Sequence, residues 1–310
     1  MAQRVAAPLA AVWAALSAIY VIWGATYLGM EIAMESMPPF LMASFRFLIA
    51  GAVLYAVFRP RERPARRHWV STAIVGFFLL VGGNAMVAVA QGRIDTGVAA
   101  LIVATLPLWL ALFDFAVTRR RLAAQSVLGI VVGFGGIALL VRPGGDIDVV
   151  GAVVCLLAPI SWAIGSLYAR HAARPRNLLL GTGMEMLAGG AILAAIGLAA
   201  GERVDFGAVS TRSWVALAGL VVFGSIVAYS SYVWLLQVAP TELVGTYAYV
   251  NPVIAVLLGA AFLSEAITLW VVVAGAAIVA SVALIVRAQS RPPAVVHALE
   301  REGEGATLAA

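Results

Sequence analysis

Ile137-Ala138-Leu139-Leu140-Val141-Arg142 closes one apolar stretch of the chain, and Val282-Ala283-Leu284-Ile285-Val286-Arg287 closes another 145 residues later. Pro107 and Pro252 stand at the same offset, as do Thr96 and Thr241, each of which opens its own apolar stretch. Trp23 and Trp162 are 139 apart, which places a gap of a few residues between the early anchors and the late ones. The chain is therefore written as two related halves.

Apolar runs around these anchors fall near residues 11 to 34, 39 to 58, 69 to 90, 96 to 117 and 124 to 141 in the first half. In the second they fall near 149 to 170, 178 to 200, 213 to 237, 241 to 263 and 268 to 287. Most approach the ~20 residues with which a helix crosses a ~30 Å hydrocarbon core, where an open strand could not satisfy its backbone. Composition agrees: 63% of the 310 residues are hydrophobic and 11% charged, against roughly 45–50% and 25% in soluble domains. The expected fold is an all-α integral membrane protein of ten transmembrane helices, with no room for a separate soluble domain. Five crossings per half is an odd number, so the second half enters the bilayer from the opposite side. The halves are then inverted five-helix repeats around a central cavity, the plan of alternating-access transporters. Residues 1–143 and 144–289 are read as the two repeats, and 290–310, with little to pack, as a disordered tail.

All twenty basic residues are Arg, and the net charge is +5. They form no basic stripe with interleaved aromatics, so nucleic acid is not expected as a partner. Without Lys there can be no GxxxxGK[ST] phosphate loop and no Schiff base. Arg59, Arg61, Arg63, Arg66 and Arg67, then Arg119 to Arg121, then Arg170, Arg174 and Arg176 fall in loops on one side of a ten-helix plan. Arg4, Arg287 and Arg291 join them, whereas the other side holds Arg93, Arg142, Arg203 and Arg212. The Arg-rich side and both termini are expected to be cytoplasmic, in a multi-pass cell (inner) membrane protein. The stretch after Arg4 runs past the length of a secretory signal core, so it reads as a retained first helix. Cys155 is the single cysteine and lies in an apolar run, which leaves no internal disulfide and no Cys-rich metal site. No cofactor or metal is expected.

Tyr20-x-x-Trp23-Gly24-Ala25, Pro38-Pro39 and Ala43-x-Phe45-Arg46-Phe47-x-x-Ala50 resemble the opening of an EamA domain of the drug/metabolite transporter superfamily. Its closing pattern is similar to Gly97 to Leu110 with Pro107 and Gly129 to Leu140, and again to Pro240-Thr241-Glu242, Asn251-Pro252 and Ser264-Glu265. The resemblance covers nearly the whole chain. It implies ten helices, cytoplasmic termini, a central cavity and export of amino acids or related metabolites. Its acidic residue after the fourth helix is Glu265 in the second half, whereas Arg120 takes that place in the first.

Charges inside a bilayer cost about 2.5–3.5 kcal/mol on insertion scales, so they face a cavity or a partner. Arg46, about 8 residues and hence about 12 Å into its run, suits a substrate carboxylate or an acid partner. Glu185 suits a proton, a substrate ammonium or a buried hydrogen bond, and Asp114 a local pair with the arginines that follow it. At helical spacing, Tyr20, Trp23 and Tyr27 share one face, Asn84 and Gln91 another, and Tyr229 and Tyr232 a third. Tyr247 with Asn251, and Trp162 as the repeat partner of Trp23, complete a candidate substrate cavity. Interfacial belts and helix packing are the competing reading of such aromatics, and Trp13, Trp69, Trp214 and Trp270 near run ends are assigned to belts. Pro107 and Pro252 are candidate gating kinks. Gly129 with Gly133, and Ala276 with Ala280, are small-residue packing pairs, open to contacts within or between protomers. His68, His171 and His297 lie in loops or the tail with no HExxH and no triad spacing.

The expected activity is secondary export of aromatic or other neutral amino acids, or related small metabolites, across a lipid bilayer, with a monomer plausible and the oligomeric state left open by the sequence. Quaternary-cation, multidrug or nucleotide-sugar transport is the alternative within the same class. A lipid-modifying membrane enzyme would need a His, Asp or Ser constellation at one interface, which the sequence lacks, and a passive scaffold fits neither the inverted repeat nor the intramembrane charges.

Overall fold

The computed structural model describes residues 8–59, 63–119, 122–141, 147–239 and 241–289. The 290–310 tail, Arg4, Arg61, Arg120, Arg121, Arg142, Pro240, Arg291 and His297 lie outside the described residues. Within them the chain forms ten apolar helices. In the first half these are α1 (Leu9–Met34), α2 (Pro39–Val57), α3 (Arg66–Gln91), α4 (Thr96–Thr118) and α5 (Ala124–Leu140). In the second they are α6 (Val149–Ala169), α7 (Leu178–Ala199), α8 (Thr211–Leu235), α9 (Tyr247–Leu263) and α10 (Leu269–Gln289). Eight are long and apolar enough to cross a membrane, and α5 and α9 are shorter apolar helices of 17 residues. Large apolar side chains such as Val131, Val153, Leu257 and Phe262 are exposed, as a lipid-facing surface requires.

The packing has the symmetry of the repeat. α2 lies on α7 and α5 on α10, each helix against its own counterpart. α1 contacts α8 and α9 as α6 contacts α3 and α4, and α2 contacts α8 as α7 contacts α3. Exchanging the halves therefore maps these contacts onto one another. The α2–α7 crossing depends on glycine: a Cβ at Gly51 would lie 2.8 Å from the Leu187 backbone nitrogen and 2.9 Å from the Gly183 carbonyl oxygen. The GxxxG spacing left a contact between protomers open, but a Cβ at Gly129 would meet the Ser281 carbonyl oxygen of α10 at 2.9 Å. That glycine pair serves the inside of the chain.

Four helices depart from the regular rods that hydropathy suggests. α4 is interrupted between Thr96–Val103 and Leu106–Thr118, and α9 is preceded by a separate turn, Thr241–Val244. At each break a threonine hydroxyl donates to the carbonyl three residues back, Thr105 to Ile102 (2.6 Å) and Thr246 to Leu243 (2.5 Å). The break in α4 puts Pro107 in the first turn of a new segment, where its missing N–H is not needed. Pro252 instead lies inside α9, one turn deeper relative to its threonine, and removes a helical bond from the carbonyl four residues back. α3 and α8 each contain a π-helical stretch, Phe77–Ala85 and Leu220–Val227. The Asn84 side chain donates to the Leu79 carbonyl inside the first of them at 3.3 Å.

On the Arg-poor side two glutamates cap helices of the other half. Glu202 accepts from the backbone N–H of Phe40 (3.3 Å) and Leu41 (2.9 Å) at the start of α2. Glu265 accepts from the N–H of Thr96 (2.7 Å), its hydroxyl (2.9 Å) and the N–H of Gly97 (3.2 Å) at the start of α4. A carboxylate there satisfies orphan donors and complements the helix dipole. Burial first, then the Glu265 charge, pushes the Asp95 carboxyl up from its ordinary value. A raised folded-state pKa means that this contribution to stability is present at low pH and is lost as pH rises through the Asp95 titration. Glu265→Ala is expected to lower unfolding stability by about 1–3 kcal/mol, with Glu265→Gln in between, because the orphaned N–H groups lose a charged acceptor. Thermal unfolding in detergent checks it, and an unchanged midpoint for the alanine variant would remove the capping role.

Candidate functional site

The α1 face read from the sequence does converge on other helices. A Cβ at Gly24 would sit 2.7 Å from Ile254 and 3.2 Å from the Asn251 carbonyl oxygen, so α1 and α9 touch nearly backbone to backbone. That approach brings Tyr247 against Trp23, with ring centres 5.1 Å apart. Tyr232 and Tyr229 of α8 close on the same indole at 5.3 and 6.3 Å, and pair with each other at 6.2 Å. Tyr232 and Tyr247 meet edge to face at 5.9 Å. Trp23 thus stands inside three tyrosines from two other helices. The Tyr20 hydroxyl hydrogen-bonds the Thr246 hydroxyl at the α9 break. With its nitrogen turned toward α1, the Asn251 amide donates to the carbonyls of Tyr247 (3.1 Å) and Tyr20 (3.2 Å).

The Trp23 indole N–H donates to the Gly224 carbonyl at 3.2 Å, within the π-helical stretch of α8. The next residue, Ser225, accepts from Arg46 Nε at 2.9 Å. Arg46 is 5% exposed, its guanidinium lies 4.9 Å from the Phe47 ring centre, and a Cβ at Gly224 would be 3.2 Å from its terminal nitrogen. Among the described residues no carboxylate lies within 4 Å of it. A buried guanidinium beside an aromatic cluster, held by one neutral hydroxyl, retains donors suited to a planar anion.

The other predicted residues are distributed differently. Glu185, also 5% exposed, pairs with Arg174 of the α6–α7 connection at 2.9 Å, and this ion pair lies within electrostatic reach of Tyr229. Asp114 pairs with Arg170 at 3.3 Å, a partner from the other half. Both of its members are about half exposed, where such pairs contribute about 0–1 kcal/mol. Tyr27 packs against the main core and, among the described residues, makes no ring contact with Trp23, while its carbonyl accepts from Gln91 at 3.0 Å. Trp162 and Asn84 belong to the opposite face of the symmetry. The Trp162 ring packs 3.0 Å from where a Cβ of Gly83 would be, in the π-helical stretch of α3, just as Trp23 docks at Gly224 in that of α8. Among the described residues Trp162 makes no ring contact with the Trp23 cluster.

One charged residue escaped the sequence reading. Glu31 lies one turn beyond Tyr27 on the same α1 face, and its Oε2 is buried without a hydrogen-bond partner among the described residues. Its spacing of four from Tyr27 was the available signal.

Comparison with known proteins places these features in a lineage. The family described as EamA-like transporter family matches residues 8–142 and again 149–287. The inner membrane transporter YedA of Escherichia coli strain K12 is 40% identical over 252 residues, 79% of this chain and 80% of that protein. A transporter of Synechocystis is 25% identical over 81% of this chain and 82% of its own length. Protein PecM of Dickeya dadantii is 25% identical over 80% of this chain and 82% of its length. A solved crystal structure superposes with a TM-score of 0.62 at 22% identity, covering 91% of this chain and 99% of that one, and shows a common fold.

Proposed function

Because the chain belongs to the EamA-like transporter family, a family of membrane transporters, we propose that it exports neutral amino acids, aromatic ones above all, or related small metabolites by alternating access. The observation that carries this reading is Arg46, a buried guanidinium with no carboxylate partner among the described residues, two hydrogen bonds through Ser225 and Gly224 from the Trp23 cluster. A carboxylate supplied by the substrate complements it. The aromatic rings around Trp23 suit an apolar or aromatic body, and the unpartnered oxygen of Glu31 suits an ammonium or a proton. The breaks in α4 and α9 beside Pro107 and Pro252 serve as the flexing points of the cycle. The positive-inside bias of the loops supports a cytoplasmic Arg-rich face and termini, and export is the direction the family resemblance implies.

The aromatic cluster also favours a second reading, a quaternary or lipophilic cation, since three tyrosines and a tryptophan offer π faces to positive charge. Flux into proteoliposomes separates the two. Phenylalanine or another neutral amino acid is expected to be carried by the native protein and lost, by at least about tenfold in rate, in Arg46→Met, a loss of ~1.4 kcal/mol of binding or more. Cation flux that persists in Arg46→Met, with no amino-acid flux in the native protein, would replace the first reading by the second.

A further inference from the structure

On the Arg-rich side, a groove of about 470 Å³ opens between the start of α3 and the end of α6. Its rim carries Arg66, Arg67 and His171, and its wall carries Val70 and Tyr168. We propose that this groove binds the phosphate headgroup of an anionic phospholipid. Four features lead there. Arg66 and Arg67 are both exposed and have no carboxylate within 4 Å among the described residues. The groove lies where the apolar span α3 begins and the span α6 ends, and long arginine side chains at span ends reach toward the headgroup layer. Val70 is 51% exposed and Tyr168 38%, so the wall continues as an apolar surface on which an acyl chain can lie. The floor is fixed, because the Ser71 hydroxyl is bonded to the Ala173 carbonyl and to its own helix at Arg67 (2.8 Å). Charge and apolar wall together fit a phosphodiester that remains attached to its lipid better than free phosphate.

α3 belongs to the first half and α6 to the second. A headgroup held by Arg66 and Arg67 on one side and by His171 and Tyr168 on the other therefore bridges the halves, and the lipid stabilises the arrangement in which the groove is formed. This assignment does not depend on which substrate is carried.

The test is lipid binding to the purified full-length chain in detergent, followed by native mass spectrometry and thermal unfolding. Phosphatidylglycerol is expected to bind and to raise the unfolding temperature, with phosphatidylcholine and inorganic phosphate doing neither. Arg66→Gln with Arg67→Gln is expected to weaken phosphatidylglycerol binding about tenfold or more, as loss of charge-assisted phosphate contacts requires. Arg176→Gln with Arg203→Gln removes the same charge elsewhere and is expected to leave binding unchanged. If the double variant does not fold, Arg66→Gln alone carries the comparison, with a smaller loss expected. Equal weakening by the control pair, stabilisation by phosphatidylcholine to the same degree, or full competition by inorganic phosphate would each overturn the assignment.

Discussion

Gly51→Leu is expected to undo the docking of α2 on α7 and to destabilise the protein by about 3 kcal/mol or more, the upper end for overpacking. The reason is what a side chain there would meet: the Leu187 nitrogen at 2.8 Å, the Gly183 oxygen at 2.9 Å and the Met186 Cβ at 3.0 Å. The first two are backbone atoms of a facing helix and cannot rotate away. Gly183 closes the same contact from the other side, with a built Cβ 2.9 Å from the Tyr55 nitrogen. Gly135, where a Cβ would meet nothing within 4 Å, provides the control as Gly135→Ala. Detergent-solubilised unfolding temperature and the monodisperse fraction are the measurements. A Gly51→Leu protein that unfolds with the native would mean that the two helices separate at little cost.

Trp23→Ala is expected to have an effect of comparable size and to abolish flux. The indole touches three tyrosine rings and is anchored by its N–H to Gly224, so truncation costs about 3–5 kcal/mol of packing and leaves a carbonyl without its donor. Trp23→Phe separates packing from anchoring. It keeps an aromatic ring among the tyrosines and loses one hydrogen bond, about 1 kcal/mol. Flux and unfolding measured together read the difference: stability restored in the phenylalanine variant with flux still absent would assign the indole N–H to the transport cycle, and flux restored with stability would leave it a packing role. Full flux in Trp23→Ala would take the cluster out of the substrate path.

The ten spans were legible because bilayer length and apolar composition are properties of each run alone, and the observed ends of α2, α4 and α6 lie within a residue or so of the hydropathy limits. The Trp23 cluster was legible for a similar reason, since Tyr20, Trp23, Tyr229 and Tyr232 keep helical spacing on regular segments. What sequence spacing could not supply was which faces meet. Asn84 and Trp162 were grouped with Trp23, yet the symmetry that makes Trp162 its counterpart also sends it to the equivalent place on α3 rather than the same one. The partner of Glu185 comes from a connection, Arg174, whose position no periodicity reports. The π-helical stretches were hidden because a widened turn has no composition of its own and is held by neighbours, Ser161 and Trp162 on one side, Trp23 and Arg46 on the other.

Those two widened stretches also belong to the repeat. They begin at Phe77 and Leu220, 143 residues apart, between the 139 of the tryptophans and the 145 of the prolines, so they occupy the same place in each half. A π turn holds one residue more than an α turn and so widens the helix locally. Each half thus offers a widened turn on which a tryptophan of the other half comes to rest, Trp162 at Gly83 and Trp23 at Gly224. The two tryptophans lock the halves together reciprocally, so a change that restores a regular turn in either stretch would unseat an aromatic ring belonging to the other half.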